Sequence, residues 1–163
     1  MPIRTLIADD HALIRQALRY ILENHAHFEF VAECGSGIEA VELARQQKPD
    51  IAIIDVAMKP LNGIEAAPQI REVSPQTKIL IVSMHCDERY VARAIKAGAS
   101  GYVVKTSAVN ELIYAIHEVR DGQMYFSADV GRSARMGPDS GPNDVRHRDP
   151  GNWRLRQESR LPR

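Results

Sequence analysis

The residues that could do chemistry together are Asp9, Asp10, Asp55, Ser83 and Lys105. Each stands at the polar end of a short apolar run. Asp9 and Asp10 follow IRTLIA, Asp55 follows IAII, Ser83 follows KILIV and Lys105 follows GYVV. Three carboxylates brought together repel one another and, left alone, raise their pKa values, so such a site asks for a cation. Hard oxygen ligands of this kind suit Mg2+. A carboxylate there could act as a nucleophile on phosphorus, giving an aspartyl-phosphate. Lys105 would pair with one phosphoryl oxygen and Ser83 would hydrogen-bond another, because positioning and charge neutralisation are most of what phosphoryl transfer needs. Taken singly, each residue also has a plainer reading. Asp9-Asp10 could be a helix N-terminus, Asp55 a loop opener, Ser83 a helix cap and Lys105 a solvated turn lysine. His11 reads as an early helical residue and His85 as a rim side chain. No Gly-rich phosphate loop, HExxH motif or nucleophile elbow is present.

The elements that must position these residues centre on Pro49 to Gly63, PDIAIIDVAMKPLNG. Ile51 to Ile54 form an unbroken apolar run, which suits a central parallel strand buried on both faces. In open α/β sheets the ligand crevice lies beyond the carboxyl ends of the strands, so Asp55 should sit at its edge. Ile3 to Ala8 reads as a first strand and Phe28 to Cys34 as a second. Lys78 to Val82 reads as a fourth, and Gly101 to Val104 as a short fifth. Between them run helical patterns. The first places Leu13, Ile14, Ala17, Leu18, Ile21 and Leu22 on one face. The second covers Ile38 to Gln47, with Val41 and Leu43-Ala44 inward. The third opens at Gly63, where Pro68 should be tolerated only near the first turn or with a kink. The fourth covers Asp87 to Ala97 and is closed by Gly98. The last covers Ser107 to Asp121, with Leu112, Ile113, Ala115, Ile116 and Val119 inward. Strand and helix alternate five times, which argues for an open parallel sheet with helices on both faces. If the first strand lies at the topological switch point, Asp9, Asp10 and Asp55 converge on one pocket.

Composition sets the outer limits. The chain has 163 residues, 44% hydrophobic and 26% charged, with a formal net charge of zero. The balance is uneven. Residues 129–163 carry eight Arg, no Lys and five acidic residues, a net of +3, which leaves 1–128 at −3. A mildly acidic globule does not announce nucleic-acid binding. Cys34 and Cys86 form no metal spacing, so reduced cytosolic thiols are expected. No apolar stretch reaches membrane length and no signal-peptide pattern opens the chain, so a cytoplasmic protein is expected. From about Asp129 the sequence is rich in Arg, Gly, Pro, Asp and Ser and has no period, and it reads as a disordered tail.

With these pieces in order, residues from about Ile3 to Val130 resemble the receiver domain of bacterial two-component response regulators of the NarL/FixJ type. The matching segments are ADDH at 8–11, IIDVAM at 53–58, NG at 62–63, VSMHCDERYVARAIKAGASGYVVK at 82–105, and EL at 111–112. The resemblance implies a flavodoxin-like sheet of five strands in the order 2-1-3-4-5, in a domain spanning 1–128. It implies that Asp55 accepts a phosphoryl group from a sensor histidine kinase. Asp9, Asp10 and Asp55 would hold Mg2+ with the Ala57 carbonyl. Ser83 would be the switch hydroxyl, Lys105 the phosphate-pairing lysine, and Tyr102 the switch aromatic that fills space left when Ser83 is drawn inward. It further implies weak homodimerisation on phosphorylation.

Thr106 follows Lys105 where other receivers often have proline, as is common in the NarL branch, and the chain departs from the pattern in two further places. Lys59 separates Met58 from Pro60, which is expected to alter loop rigidity without loss of chemistry. Nothing from Gly131 onward resembles the helix-turn-helix domain that usually follows in this branch. An alternative is therefore a transcription regulator whose DNA-binding half is truncated or frameshifted, with DNA contact only if an output domain is supplied. A third reading, an aspartyl-phosphate phosphatase, wants a second acid two residues after the nucleophile, where this chain has Ala57. The expected protein is a phosphoacceptor that catalyses only its own phosphorylation and dephosphorylation.

Overall fold

The computed structural model describes residues 1–106 and 109–127. Strands and helices alternate as β1 (Ile3–Ala8), α1 (Ala12–Glu23), β2 (Phe28–Cys34), α2 (Gly37–Gln47), β3 (Ile51–Asp55) and α3 (Gly63–Val73). They continue as β4 (Lys78–Ser83), α4 (Glu88–Lys96), β5 (Gly101–Val104), α5 (Val109–Arg120) and β6 (Tyr125–Phe126). The expected tail at 129–163, the boundary at 128 and the expected start of the last helix at Ser107 lie outside the described residues.

Every residue of β3 is buried, as an apolar run without polar alternation requires of a central strand. The sheet has six strands in the order β2-β1-β3-β4-β5-β6, all paired in parallel. This corrects the expected count of five, while the order of the first five stands. The extra strand is only Tyr125–Phe126, laid beside Gly101 and Tyr102. Two residues carry no period, so local pattern cannot announce such a strand.

Successive side chains on a strand point to opposite faces, and the core divides accordingly. Leu6, Ala52, Ile54, Ile79, Ile81 and Tyr102 pack under α2, α3 and α4. Ile7, Ile51, Ile53, Leu80, Val82 and Val103 pack under α1 and α5. Each large apolar side chain hidden this way contributes roughly 1.5–3 kcal/mol as an upper bound, so helices that are marginal alone are held by the sheet.

Helix α5 buries Leu112, Ile113, Ala115, Ile116 and Val119, the expected set. Helix α1 buries only Leu18 and Leu22. Leu13, expected inward, is 77% exposed, because at 3.6 residues per turn it lies about 140° around the helix from Leu18. On α2, Ala40 and Ala44 are fully buried, whereas Val41 and Leu43 are only half-buried at the margin of the same core. Pro68 lies at the sixth position of α3, beyond the first turn and inside the helix, on its exposed side. The helix absorbs the missing donor because it is anchored elsewhere. Gly63, Ile64, Ala66, Ala67 and Ile70 are buried, and Asn62 with Glu65 forms a complete capping box. Gly98 follows α4 at φ 98°, the left-handed conformation that glycine adopts without strain.

Candidate phosphoacceptor site

Register explains the convergence. Ala8 pairs with Ile54, so Asp9 and Asp55 leave neighbouring strands side by side. Asp55 pairs with Val82, one residue before Ser83. Ser83 in turn pairs with Val104, one residue before Lys105, and the Lys105 amide donates to the Ser83 carbonyl at 2.7 Å. Four strand ends therefore open on one edge of the sheet, at the place where the order reverses around β1.

Helix α3 approaches the end of β3 closely. An alanine methyl at Gly63 would overlap the carbonyl oxygen of Asp55 and the Ile54 side chain. Only glycine lets the helix start this close to the end of β3, and the Gly63 amide donates to the Val56 carbonyl at 3.2 Å. The Asn-Gly pair thus fixes the loop that carries Val56, Ala57 and Met58. Lys59 and Pro60 are exposed in that loop while Met58 stays buried, so the departure at Lys59 faces outward and the spacing from Asp55 to Gly63 is unchanged.

In the cup itself the Lys105 ammonium lies 2.7 Å from Asp9 Oδ2 and 3.3 Å from Asp55 Oδ1. All three side chains are buried, with exposures of 7%, 2% and 3% for Lys105, Asp9 and Asp55. One ammonium is shared by two carboxylates, so the pair keeps an uncompensated negative charge. Asp55 Oδ2 is buried with no hydrogen-bond partner. Burial, and then the charge on Asp9, push the Asp55 carboxyl above its ordinary pKa, against the pull of Lys105 and the Ala57 amide.

The remaining acid, Asp10, is half in solvent and meets Asp9 through a residue that sequence reasoning set aside. His11 is the N-cap of α1, in extended conformation. Its amide donates to Asp9 Oδ1 at 2.9 Å, and its Nδ1 lies 3.0 Å from Asp9 Oδ1 and 2.9 Å from Asp10 Oδ1. The signal for this role was present in the sequence. A histidine directly after two acids at a helix start can fold its ring back over them.

Ser83 is buried at 1% exposure, and its Oγ accepts the His85 amide at 3.0 Å. Tyr102 is fully buried, and its hydroxyl donates to the His85 carbonyl at 2.6 Å. The ring expected to move inward is already inside. His85 stacks on Tyr90 with centroids 4.9 Å apart. Beside the cup an open groove of about 770 Å³ is walled by Ala57, Lys59, Glu65, His85, Tyr90 and Arg93, so the loop after Asp55 is reachable from solvent.

A ligand atom from each of Asp9, Asp10, His11 and Asp55 can be chosen so that all lie within 4.8 Å of one another. With the unpartnered Asp55 oxygen, this donor set fits a hard divalent cation. Among the described residues it is also the one group of three or more such side chains gathered closely enough to hold a metal. Asp9, Asp10, Asp55 and Lys105 are thus brought into one cup. Ala57 lies on its exposed lip, and Ser83 and Tyr102 stand on the two adjoining strands.

Comparison with known proteins points the same way. Residues 5–117 match the response regulator receiver domain family. The transcriptional regulatory protein DegU of Brevibacillus brevis is 38% identical over 128 residues, covering 78% of this chain and 54% of that protein. The chain spans little more than half the length of several such relatives. The crystal structure of a LuxR-family two-component response regulator from Aurantimonas sp. SI85-9A1 matches with a TM-score of 0.79 and 34% identity. It covers 83% of this chain and 97% of that one. The signal receiver domain of the response regulator NarL from Mycobacterium tuberculosis matches with a TM-score of 0.72 and 29% identity, over 75% of this chain and 98% of that one. With its acids, lysine and sheet order arranged as above, the chain belongs to the response regulator receiver domain family, among relatives of the NarL/LuxR kind.

Proposed function

We propose that this domain is the phosphoacceptor of a two-component system, taking a phosphoryl group onto Asp55 from the phosphohistidine of a sensor kinase. The observation that carries the reading is the buried cup in which one lysine serves two carboxylates while an Asp55 oxygen has no partner. An Asp55 oxygen attacks phosphorus in line as the phosphorus–nitrogen bond to the donor imidazole breaks. The released imidazole then takes its proton from water. Lys105 pairs with a phosphoryl oxygen, which draws it from the carboxylates it holds at rest, and the Ser83 hydroxyl turns toward another. Asp9, Asp10 and Asp55, with the Ala57 carbonyl, would hold Mg2+, and that ion supplies neutralisation of the charge brought in by the phosphoryl group. Water later attacks the phosphorus and releases inorganic phosphate. The protein thus catalyses only its own phosphorylation and dephosphorylation.

Phosphorylation adds roughly −1.5 to −2 charges. It biases an existing equilibrium toward the conformation with Ser83 drawn in, with the Tyr102 ring already buried before phosphorylation. The surface of α4, β5 and α5 is the face this changes, and weak homodimerisation is its expected consequence. Among the described residues no helix is long and apolar enough to cross a membrane, in keeping with a cytoplasmic role. Transcriptional output is a second element of the reading. It is favoured by the name of the DegU relative, whose matched part is about half its length, and it needs an output domain to reach DNA.

The test is intact-mass measurement after incubation with a small acyl-phosphate donor and Mg2+. The wild type should gain one phosphate and Asp55→Asn none. Equal gain by the variant would remove Asp55 from the mechanism. Unchanged Mg2+ affinity in Asp10→Ala would undo the ligand set.

A further inference from the structure

We infer that Ser127 is a positioning residue that couples the phosphoacceptor cup to the chain that follows it, an inference that rests on the phosphoacceptor reading. The strand β6 lies along β5 on the side opposite β4. The Tyr125 amide donates to the Ser100 carbonyl at 3.1 Å, and the Ser127 amide to the Tyr102 carbonyl at 2.9 Å. In a continuing ladder the next donor, the Val104 amide, would meet a backbone carbonyl. Here it donates to Ser127 Oγ at 3.0 Å. Ser127 therefore ends β6 and grips β5 at two points, Tyr102 and Val104, while itself only 2% exposed.

Those two points bracket the moving parts of the site. Val104 precedes Lys105, whose own amide is tied to Ser83 on the other side of the strand. Tyr102 carries the hydroxyl that holds the His85 carbonyl. A shift of Lys105 toward a phosphoryl oxygen carries Val104 with it. Ser127 must then follow or lose a buried hydrogen bond. A side-chain acceptor at this position transmits the displacement of β5 to residue 127 and so to whatever the chain continues into. A glycine or alanine there would leave the end of β5 free to move alone.

Residue-resolved amide hydrogen exchange on the full chain tests this, with Mg2+ alone and with Mg2+ plus beryllium trifluoride as phosphoryl mimic. In the wild type, Val104 and residues 125–127 should change protection together with the loops after Asp55 and Ser83. In Ser127→Ala the loops should still respond. The Val104 amide should lose about tenfold or more of its protection, and the response of 125–127 should vanish. Ser127→Thr, which keeps the hydroxyl, should restore the response, and Ser127→Cys, a weaker acceptor of similar size, should give an intermediate one. A purely structural role would lower protection in Ser127→Ala yet leave the response to the mimic intact. That outcome overturns the inference, as does a wild type whose loops respond while 125–127 do not. A wild type in which the loops themselves are silent overturns the phosphoacceptor reading and takes the coupling with it.

Discussion

Replacing Asp55 by asparagine should make the metal-free protein more stable. In the wild type, Asp55 is buried beside Asp9, shares one ammonium with it, and leaves Oδ2 without a partner. A buried acceptor left unsatisfied costs about 1–3 kcal/mol. Asparagine removes the charge that Asp9 opposes and, with it, the larger cost of burying an unpartnered oxygen in charged form. Against this stands the loss of a 3.3 Å ion pair, softened because Lys105 keeps its shorter bond to Asp9. The net gain should be about 1–2 kcal/mol, which for an ordered domain of this size is a rise in Tm of about 3–8 °C.

The pH dependence has a definite sign. The folded-state pKa of Asp55 is raised above its unfolded value, so the folded state holds this proton more tightly than the unfolded one. The resulting stability is fully present below the unfolded pKa of about 3.9 and is lost as pH rises through the folded pKa. The advantage of Asp55→Asn should therefore be full at pH 7 and fade toward pH 4. Mg2+ should narrow it too, since occupancy at ten times Kd stabilises the wild type by about 1.4 kcal/mol and the variant by less. Urea unfolding at pH 7 and pH 4, in EDTA and in Mg2+, measures all of these. A variant no more stable than wild type at pH 7 in EDTA, or a gap indifferent to pH, would refute the electrostatic account of the cup.

Lys105→Met should destabilise the protein by about 2–4 kcal/mol in EDTA, because two buried carboxylates then face each other without a cation, and Mg2+ should recover part of the loss. Gly63→Ala should cost about 1–3 kcal/mol from the overlap with the Asp55 carbonyl and should weaken Mg2+ binding by displacing the Ala57 loop, which equilibrium unfolding and metal titration would show. Tyr102→Phe removes the hydroxyl held on the His85 carbonyl. It should cost about 1 kcal/mol and speed amide exchange across Met84 to Asp87, leaving phosphate gain at Asp55 intact.

Much of this architecture was legible because burial on two faces leaves an unmistakable mark. The run Ile51–Ile54 cannot alternate and ends in the one acid at its tip, and the helical spacing of Leu112, Ile113, Ile116 and Val119 marked the buried face of α5. What escaped depends on tertiary partners. Tyr125–Phe126 becomes a strand only because Gly101 and Tyr102 offer it an edge. Leu13 belongs to the apolar pattern of α1, yet it lies well around the helix from the buried Leu18 and Leu22 and stays exposed. His11 looked like a helical residue because its value lies in folding back over Asp9 and Asp10. Tyr102 was legible as a strand position, but whether its ring lay inside depended on the His85 carbonyl seventeen residues earlier in the chain.

The central claim is that a phosphoryl group is carried on the side chain of Asp55, and borohydride trapping reads it most directly. Reduction of an acyl phosphate converts aspartate to homoserine, and peptide sequencing by mass then locates it. After treatment with an acyl-phosphate donor and Mg2+, homoserine should be found at position 55 and nowhere else in residues 1–127. Homoserine at Asp9 or Asp10, or phosphate retained on the chain with position 55 still aspartate, would contradict the account.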